Sequence, residues 1–292
     1  MLRKFFQFFS LVLLSLNILV WGLVFKHLQK PDIEVYFFDV GQGDSHLIES
    51  KDGTQILIDG GPPNKILSRL SAVLDFDDRH IDALVLSHPH ADHVSGLIEI
   101  LKNYEVDYVF ESGVGYDTPE AKEFRALASK KTIVVDKPIN LNFFRGAKLR
   151  LLHPDKSFAG KTPSHVHDSM VVAELVYNPS TSLRARKILF AGDMEKNLEH
   201  YLVKKGEISD IDILKVGHQG SKTSSSEKFL DFAKPEYSVV PVGKNSYGHP
   251  NPDVLSRLAS IGSKIFRTDQ DGTVKFEIDS LGKLKFFGEN VR

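Results

Sequence analysis

From Phe5 to Phe25 the chain is almost continuously apolar, broken only by Gln7, Ser10, Ser15, Asn17 and Gly22. About 20 apolar residues cross a bilayer as a helix, whereas the core of a cleaved signal peptide is roughly 7–15 residues long and ends at small residues. This run ends in Trp21-Gly22-Leu23-Val24-Phe25, with no Ala-x-Ala pattern, and Trp21 suits an interfacial anchor. The pattern predicts an uncleaved signal anchor over residues 1–30, rather than a cleaved signal or a buried core helix. A folded body follows over residues 31–292. Arg3, Lys4 and the α-amino group outweigh Lys26 and Lys30, which places the N-terminus in the cytoplasm and the body outside it.

Beyond residue 30 the apolar residues fall into short runs. Ile33–Asp39, Ser45–Glu49 and Gln55–Asp59 read as strands, the last two joined by an Asp52-Gly53 hairpin turn. Helical spacing follows over Asn64–Leu74, then a buried strand at Ala83–Leu86 and a helix at Val94–Leu101. Asp107–Phe110 is a strand, and Thr118-Pro119-Glu120 opens another helix with a cap and a first-turn proline. Strands are expected at Lys148–Leu152, Met170–Tyr177, Lys187–Ala191, Ile213–Val216 and Tyr237–Pro241. Helices are expected at Met194–Lys205, Glu227–Ala233 and Pro252–Ile261. Three last strands lie near Lys264–Thr268, Thr273–Ile278 and Lys283–Phe287. Strands with helices interspersed throughout predict an α/β body of two sheets covered by helices.

Composition changes this picture little. The 292 residues suffice for a sizeable core, and the chain has no cysteine, which excludes thiolate ligands and a cysteine nucleophile. The first thirty residues carry four bases and no acid, leaving 33 bases against 38 acids, about −5, on the body. A body of that charge is a poor non-specific binder of long polyanions.

The candidate chemistry lies directly after the Ala83–Leu86 strand, in Ser87-His88-Pro89-His90-Ala91-Asp92-His93. Three imidazoles and a carboxylate within six residues suit zinc, and also iron or manganese. His88 and His90, two apart in extended chain, point to one side, while Asp92 and His93 lie at the turn into the next helix and can face a second ion. Two ions about 3.5–4 Å apart are a known hydrolytic arrangement. Two further strands end in the same way. Ile188-Leu189-Phe190-Ala191-Gly192-Asp193 places Asp193 where it can bridge two ions, and Ile213-Leu214-Lys215-Val216-Gly217-His218 places His218 similarly.

These motifs resemble the metallo-β-lactamase fold over nearly all of residues 33–290. More closely, the body resembles the hydrolase domain of the ComEC competence-protein family, on Phe38-Asp39-Val40-Gly41-Gln42-Gly43-Asp44-Ser45, Ile58-Asp59-Gly60-Gly61, Ser87 to Leu97, and Ala191-Gly192-Asp193. Leu214 to Ser224 and Val242-Gly243-Lys244-Asn245-Ser246-Tyr247-Gly248-His249-Pro250 complete the match. The resemblance implies a four-layer αββα sandwich with the site at one edge. It implies one metal on His88, His90 and Asp193, and another on Asp92, His93, Asp193 and His218. His167 sits near the position where the broader superfamily has one more histidine ligand, with His165 beside it. His153, at a strand end, is better read as bonded to backbone. The chain departs from the family in carrying one helix before the hydrolase, where full-length ComEC has a polytopic channel, so a DNA-transport role does not carry over. Gln219 follows His218 where many relatives have a second histidine.

The expected cofactors are therefore two divalent ions, zinc first and manganese next, activating a water. Asp92 or Asp193 can hold that water and accept its proton. Ser221, Lys222 and Thr223 supply hydroxyls, backbone N–H groups and a cation suited to phosphate, and His249 can protonate a leaving oxygen or bind phosphate. Asp59 can orient a ligand histidine. Gln42, Asp39, Asp44 and Asp269 read as supporting or turn residues. The expected function is a membrane-anchored phosphodiesterase or nuclease acting on a phosphoryl substrate, with nucleic acid among the candidates, and nothing in the sequence calls for an obligate protein partner. The alternatives are hydrolysis of a lactone, a β-lactam or a phosphocholine ester of the envelope, and a non-catalytic binding module that keeps its metals.

Overall fold

The computed structural model describes residues 2–63, 65–180 and 184–289, with the side chains of residues 2 and 23–29 left aside. In chain order the elements are α1 (Leu2–Gln29), β1 (Ile33–Phe37), β2 (His46–Ser50), β3 (Gln55–Ile58), α2 (Ile66–Ser71), β4 (His80–Val85), α3 (Ala91–Asn103), β5 (Glu105–Glu111), α4 (Pro119–Ala128), β6 (Thr132–Val134), β7 (Ile139–Phe144) and β8 (Ala147–His153). Then come β9 (Val172–Tyr177), β10 (Arg186–Phe190), α5 (Lys196–Lys204), β11 (Ile213–Lys215), α6 (Glu227–Ala233), β12 (Tyr237–Val240), α7 (Pro252–Ser260), β13 (Lys264–Arg267), α8 (Thr268–Asp271), β14 (Val274–Ile278) and β15 (Leu284–Gly288).

Alternation along the strands builds the layers. In β3, Ile56 and Ile58 face one core while Leu57 faces another. The first core lies between the two sheets, where Val35, Phe37, Ile48 and Val85 meet Leu149, Leu175, Ile188 and Phe190. Leu57 joins Leu47 and Leu84 beneath Ile66 and Leu70 of α2, Leu97 of α3 and Phe124 of α4. On the far side Leu189, Leu214 and Val240 pack under Leu198 of α5, Phe229 of α6 and Leu258 of α7. Helices, sheet, sheet and helices give the expected αββα sandwich.

One sheet has the order β15-β14-β1-β2-β3-β4-β5-β6 and the other β13-β12-β11-β10-β9-β8-β7. The β2–β3 hairpin is antiparallel, as the Asp52-Gly53 turn predicts. Strands β3 to β6 run parallel, and so do β10 to β13. Open parallel sheets bind ligands beyond the carboxyl ends of their strands. Here the two sheets meet where Val171 N–H, just before β9, donates at 2.7 Å to the carbonyl of Ser87, just after β4.

Strands β6 and β7 were not expected. Both are edge strands whose residues are half-buried or exposed, so the apolar signal is weak there. The expected Asn64–Leu74 helix is the shorter α2; Asn64 itself lies outside the described residues. α3 starts three residues earlier than its apolar spacing indicates, which draws Asp92 and His93 into its first turn. In α1 the segment Arg3–Gly22 is long and apolar enough to cross a membrane, and none of it is buried.

Candidate metal centre

His88, His90, Asp193 and His218 each follow a strand end that the core holds fixed, while Asp92 and His93 sit in the first turn of α3. β4 runs into His88 and His90, and extended backbone at His90 starts α3 at Ala91. That puts the Asp92 carboxylate at a helix N-terminus, where the dipole favours negative charge. β10 leads to Asp193 through Gly192 at φ +47°, where a Cβ would lie 2.1 Å from Met170 Cε. β11 leads to His218 (φ 47°) and Gln219 (φ 52°), two consecutive side-chain-bearing residues in the left-handed region. Such conformations cost on the order of 1–3 kcal/mol each and gather at functional sites.

Asp193 is the hub. His88 Nε2 lies 3.7 Å, His218 Nε2 3.4 Å and His167 Nε2 4.0 Å from its Oδ2. His90 Nδ1 completes this group, 3.0 Å from His88 Nε2 and 3.5 Å from His167 Nε2. On the other oxygen, Oδ1, His93 Nε2 lies at 3.4 Å, and Asp92 Oδ2 is 3.7 Å from the same nitrogen. His88, His90, His167 and Asp193 form one set able to hold a cation, and Asp44, His93 and Asp193 form another. The structure therefore gathers all seven expected ligands around Asp193, with His167, Glu195 and His218 forming a further candidate set. His218 faces the histidine side of Asp193, because the left-handed turn at His218 and Gln219 swings its ring toward His167, their centroids 4.8 Å apart. The expected partition had set it with Asp92 and His93.

The fit to a metal rests on two orphaned atoms. Asp59 Oδ2 accepts from His93 Nδ1 at 2.8 Å, so a neutral His93 carries its lone pair on Nε2. That lone pair faces Asp193 Oδ1, and both atoms are buried without a hydrogen-bond partner. A neutral His93 would repel the ionised Asp193 at 3.4 Å, so the pair takes a proton or a metal cation between its two atoms. Burial disfavours a charged His93, yet the carboxylates of Asp193, Asp92, Asp59 and Asp44 outweigh it and raise the imidazole well above its usual range. The position calls for positive charge. Asp193 shows the converse: burial opposes its ionisation, but His93, His88 and Lys215 hold it well below the usual carboxylate range.

Residues 38–244 match the model of the metallo-beta-lactamase superfamily. The chain belongs to that superfamily. It is 30% identical over 273 residues to Recombination protein 2 of Haemophilus influenzae, covering 91% of this chain and 31% of the relative. It is 25% identical over 265 residues to ComE operon protein 3 of Bacillus subtilis (83% and 33%) and 29% identical over 245 residues to Competence protein ComA of Neisseria gonorrhoeae (83% and 32%). The chain spans about a third of the length of these curated relatives. Among solved structures, CmlA, a diiron beta-hydroxylase from Streptomyces venezuelae, shares the fold with a TM-score of 0.54 at 16% identity, covering 85% of this chain and 54% of that one. The metallo-beta-lactamase fold protein YhfI from Bacillus subtilis does so with a TM-score of 0.50 at 12% identity, covering 82% and 98%.

Around this metallo-beta-lactamase centre the supporting residues are tightly bonded. Asp59 also accepts from Ser87 N–H at 2.8 Å and Ser87 Oγ at 2.6 Å, which ties the β4 loop to the residue that orients His93. Gln42 Oε1 accepts from Gly243 N–H at 3.1 Å, its Nε2 donates to Gln219 Oε1, and Gln219 Nε2 donates to Asp92 Oδ2 at 2.8 Å. Gln42 thus reaches the centre through Gln219. Ser221 and Thr223 are turned inward: their hydroxyls lie 3.0 Å apart, and Thr223 donates to Glu195 Oε1 at 2.9 Å. Lys222 is exposed at the rim. His249 stacks edge-on to His218 at 5.4 Å with its Nδ1 unpartnered. His153 accepts no part in the centre; its Nδ1 pairs with the Met170 carbonyl at 2.7 Å.

Two residues escaped the sequence reading. Glu195 Oε1 lies 3.1 Å from His218 Nδ1, a hydrogen bond that orients this ring, and 3.6 Å from His167 Nδ1. Its spacing two after Asp193 was the available signal. Lys215 is, among the described residues, the one buried lysine or arginine. A lysine inside the apolar strand Ile213-Leu214-Lys215-Val216 was its signal.

Burial, with the neighbouring His93, holds His88 well below the usual imidazole range. Burial with His167 lowers His90 to about 4, and burial lowers His167 as well. Lowered values mean that protons compete weakly with a metal for these nitrogens. Metal uptake on the histidine side, followed by competition with a chelating dye, should therefore persist from pH 7 to about pH 5 and fail near pH 4. Solvated imidazoles would lose it from about pH 6.5 downward. Complete loss by pH 6 would contradict the buried, neutral histidine set.

Proposed function

We propose that this protein is a metal-dependent hydrolase of phosphodiester bonds, held to a membrane by α1 with its centre outside the cytoplasm. The observation that carries the hydrolase reading is the pair of buried, unpartnered ligand atoms, His93 Nε2 and Asp193 Oδ1, in the Asp44, His93 and Asp193 group. His88, His90, His167, His218 and Asp193 would hold one divalent ion, and Asp92, His93 and Asp193 a second, with zinc or manganese the metals that suit these donors. Bound ions would supply an activated water and positive charge for phosphoryl oxygens.

The chain's own residues do the rest. Asp92, steadied by Gln219, is the carboxylate that accepts a proton from the attacking water, while Asp193, held ionised, balances the charge of the ions. His249 stands beside His218 on the open side. Burial and His218 lower its affinity for a proton, so it starts neutral; an approaching anionic substrate raises that affinity and readies it to protonate the leaving oxygen. Lys222 supplies a cation at the rim. Relatives named for competence and recombination support a nucleic-acid type of diester. The acidic body disfavours long polyanions, so short strands fit better than long duplex.

A parallel screen tests this. It would offer bis-p-nitrophenyl phosphate, single- and double-stranded DNA, RNA, a β-lactam and a lactone, each with zinc or manganese. Diester cleavage is expected, and its absence under every metal refutes the reading. Lys222→Ala should raise KM for the diester about two- to fivefold, the value of an exposed charge contact, and leave the lactone arm unchanged. An equal change in both arms would remove Lys222 from the substrate.

A further inference from the structure

The lysine on β11 is not explained by packing. Its side chain is wholly buried, a costly place for an ammonium unless it is paired. Lys215 Nζ forms an ion pair with Asp44, also wholly buried, and donates to the Gly192 carbonyl at 2.5 Å. It lies 3.9 Å from Asp193 Oδ1, the oxygen that faces His93. Asp44 lies 3.8 Å from His93 Nδ1. The ammonium is thus set in the Asp44, His93 and Asp193 group, beside the second candidate metal position and on the side of the protein interior.

The two halves of the centre are unequal in other ways. The histidine side has three imidazoles around Asp193 Oδ2, with His90 3.5 Å from His167 Nε2. The other side has His93 Nε2, Asp92 Oδ2 and Asp193 Oδ1, and Asp92 Oδ2 is already accepting from Gln219. Gln219 itself is buried and contributes an N–H donor where a ligand would need a lone pair.

We propose that Lys215 is a built-in cation of the centre, so that the histidine side loads first and a second ion binds beside Asp92 and His93 far more weakly. This rests on the metal reading above. The lysine supplies part of the positive charge that the carboxylates demand and anchors the segment carrying Asp193 through Gly192. It also repels a dication placed at Asp193 Oδ1. Lys215 is a positioning residue, acting through Asp193 and Asp44.

The test is a metal titration of the full chain in detergent, starting from chelator-stripped protein, with zinc and separately manganese. Stoichiometry is read by elemental analysis and stepwise affinities by calorimetry. The wild type should bind one equivalent tightly and a second at least ~30-fold more weakly, the order expected for a like charge beside a three-donor site. Asp92→Asn should remove the second equivalent and leave the first. Lys215→Met and Lys215→Gln, checked for folding by circular dichroism, should tighten the second equivalent at least ~10-fold and change the first less than about threefold. Two equally tight ions in the wild type overturn the proposal even if neither variant folds. So does an unchanged second affinity in a folded variant. If no ion binds at all, the metal reading falls and this inference with it; equal binding removes the role of Lys215 alone.

Discussion

Asp193→Ala is expected to lower hydrolysis at least ~10³-fold, about 4 kcal/mol of barrier, and to strip the centre of metal. Asp193 faces His88, His167 and His218 with one oxygen and His93 with the other, so its carboxylate joins the two halves. Its loss also leaves the raised His93 and the buried Lys215 with one carboxylate fewer to balance them. Elemental analysis after dialysis should show occupancy well below that of the wild type. Circular dichroism should show that the sandwich persists, because Asp193 lies beyond β10 and outside the three apolar cores. Wild-type metal content together with more than a tenth of the activity would sink the hub assignment.

Gly96→Ala should be the most damaging single methyl group in the domain. A Cβ at this position would stand 1.9 Å from the Gly60 carbonyl oxygen and 2.5 Å from its carbon. These atoms are backbone, so no rotamer change can relieve the clash. The contact is built into the site. Gly60 N–H donates to the His93 carbonyl and Gly96 N–H to the Gly61 carbonyl, each at 2.8 Å. α3 therefore lies directly on the segment that carries Asp59, and the two bring Asp59 to His93. Overpacking of this kind costs about 3 kcal/mol, or a fall of about 10 °C in Tm for a domain of this size. Because α3 must shift, Asp92 and His93 move with it and metal affinity should fall as well. A variant with wild-type Tm and wild-type metal content would show that the close approach carries no weight.

Gly96 also illustrates where sequence reasoning stops. In the sequence it reads as an ordinary glycine in a short helix, and only the crossing of α3 over the β3 loop shows why a side chain cannot sit there. The Ser221–Thr223 loop makes the same point for chemistry. Its composition suits phosphate, yet folding turns Thr223 toward Glu195 and leaves Lys222 as the exposed member. His167 was ambiguous because the chain before β9 has no periodic pattern. Its place beside His90 follows from a short 3₁₀ turn at Val166–Ser169.

The amino-acid sequence by itself determined the αββα layering, since alternation in strands such as β3 and amphipathic spacing in helices such as α3 leave few ways to bury both faces. It also determined which strand ends carry the candidate ligands, because His88, Asp193 and His218 each stand two residues after an apolar run and His90 two further on. Tertiary structure alone decided how those ligands are shared. Whether His218 joins His167 or His93 depends on two left-handed residues, and whether the second position is open depends on a lysine and an aspartate 171 residues apart in the chain, read from their numbers as Lys215 and Asp44. Local pattern sets which way a side chain leaves its element; the charge it meets there comes from the other sheet.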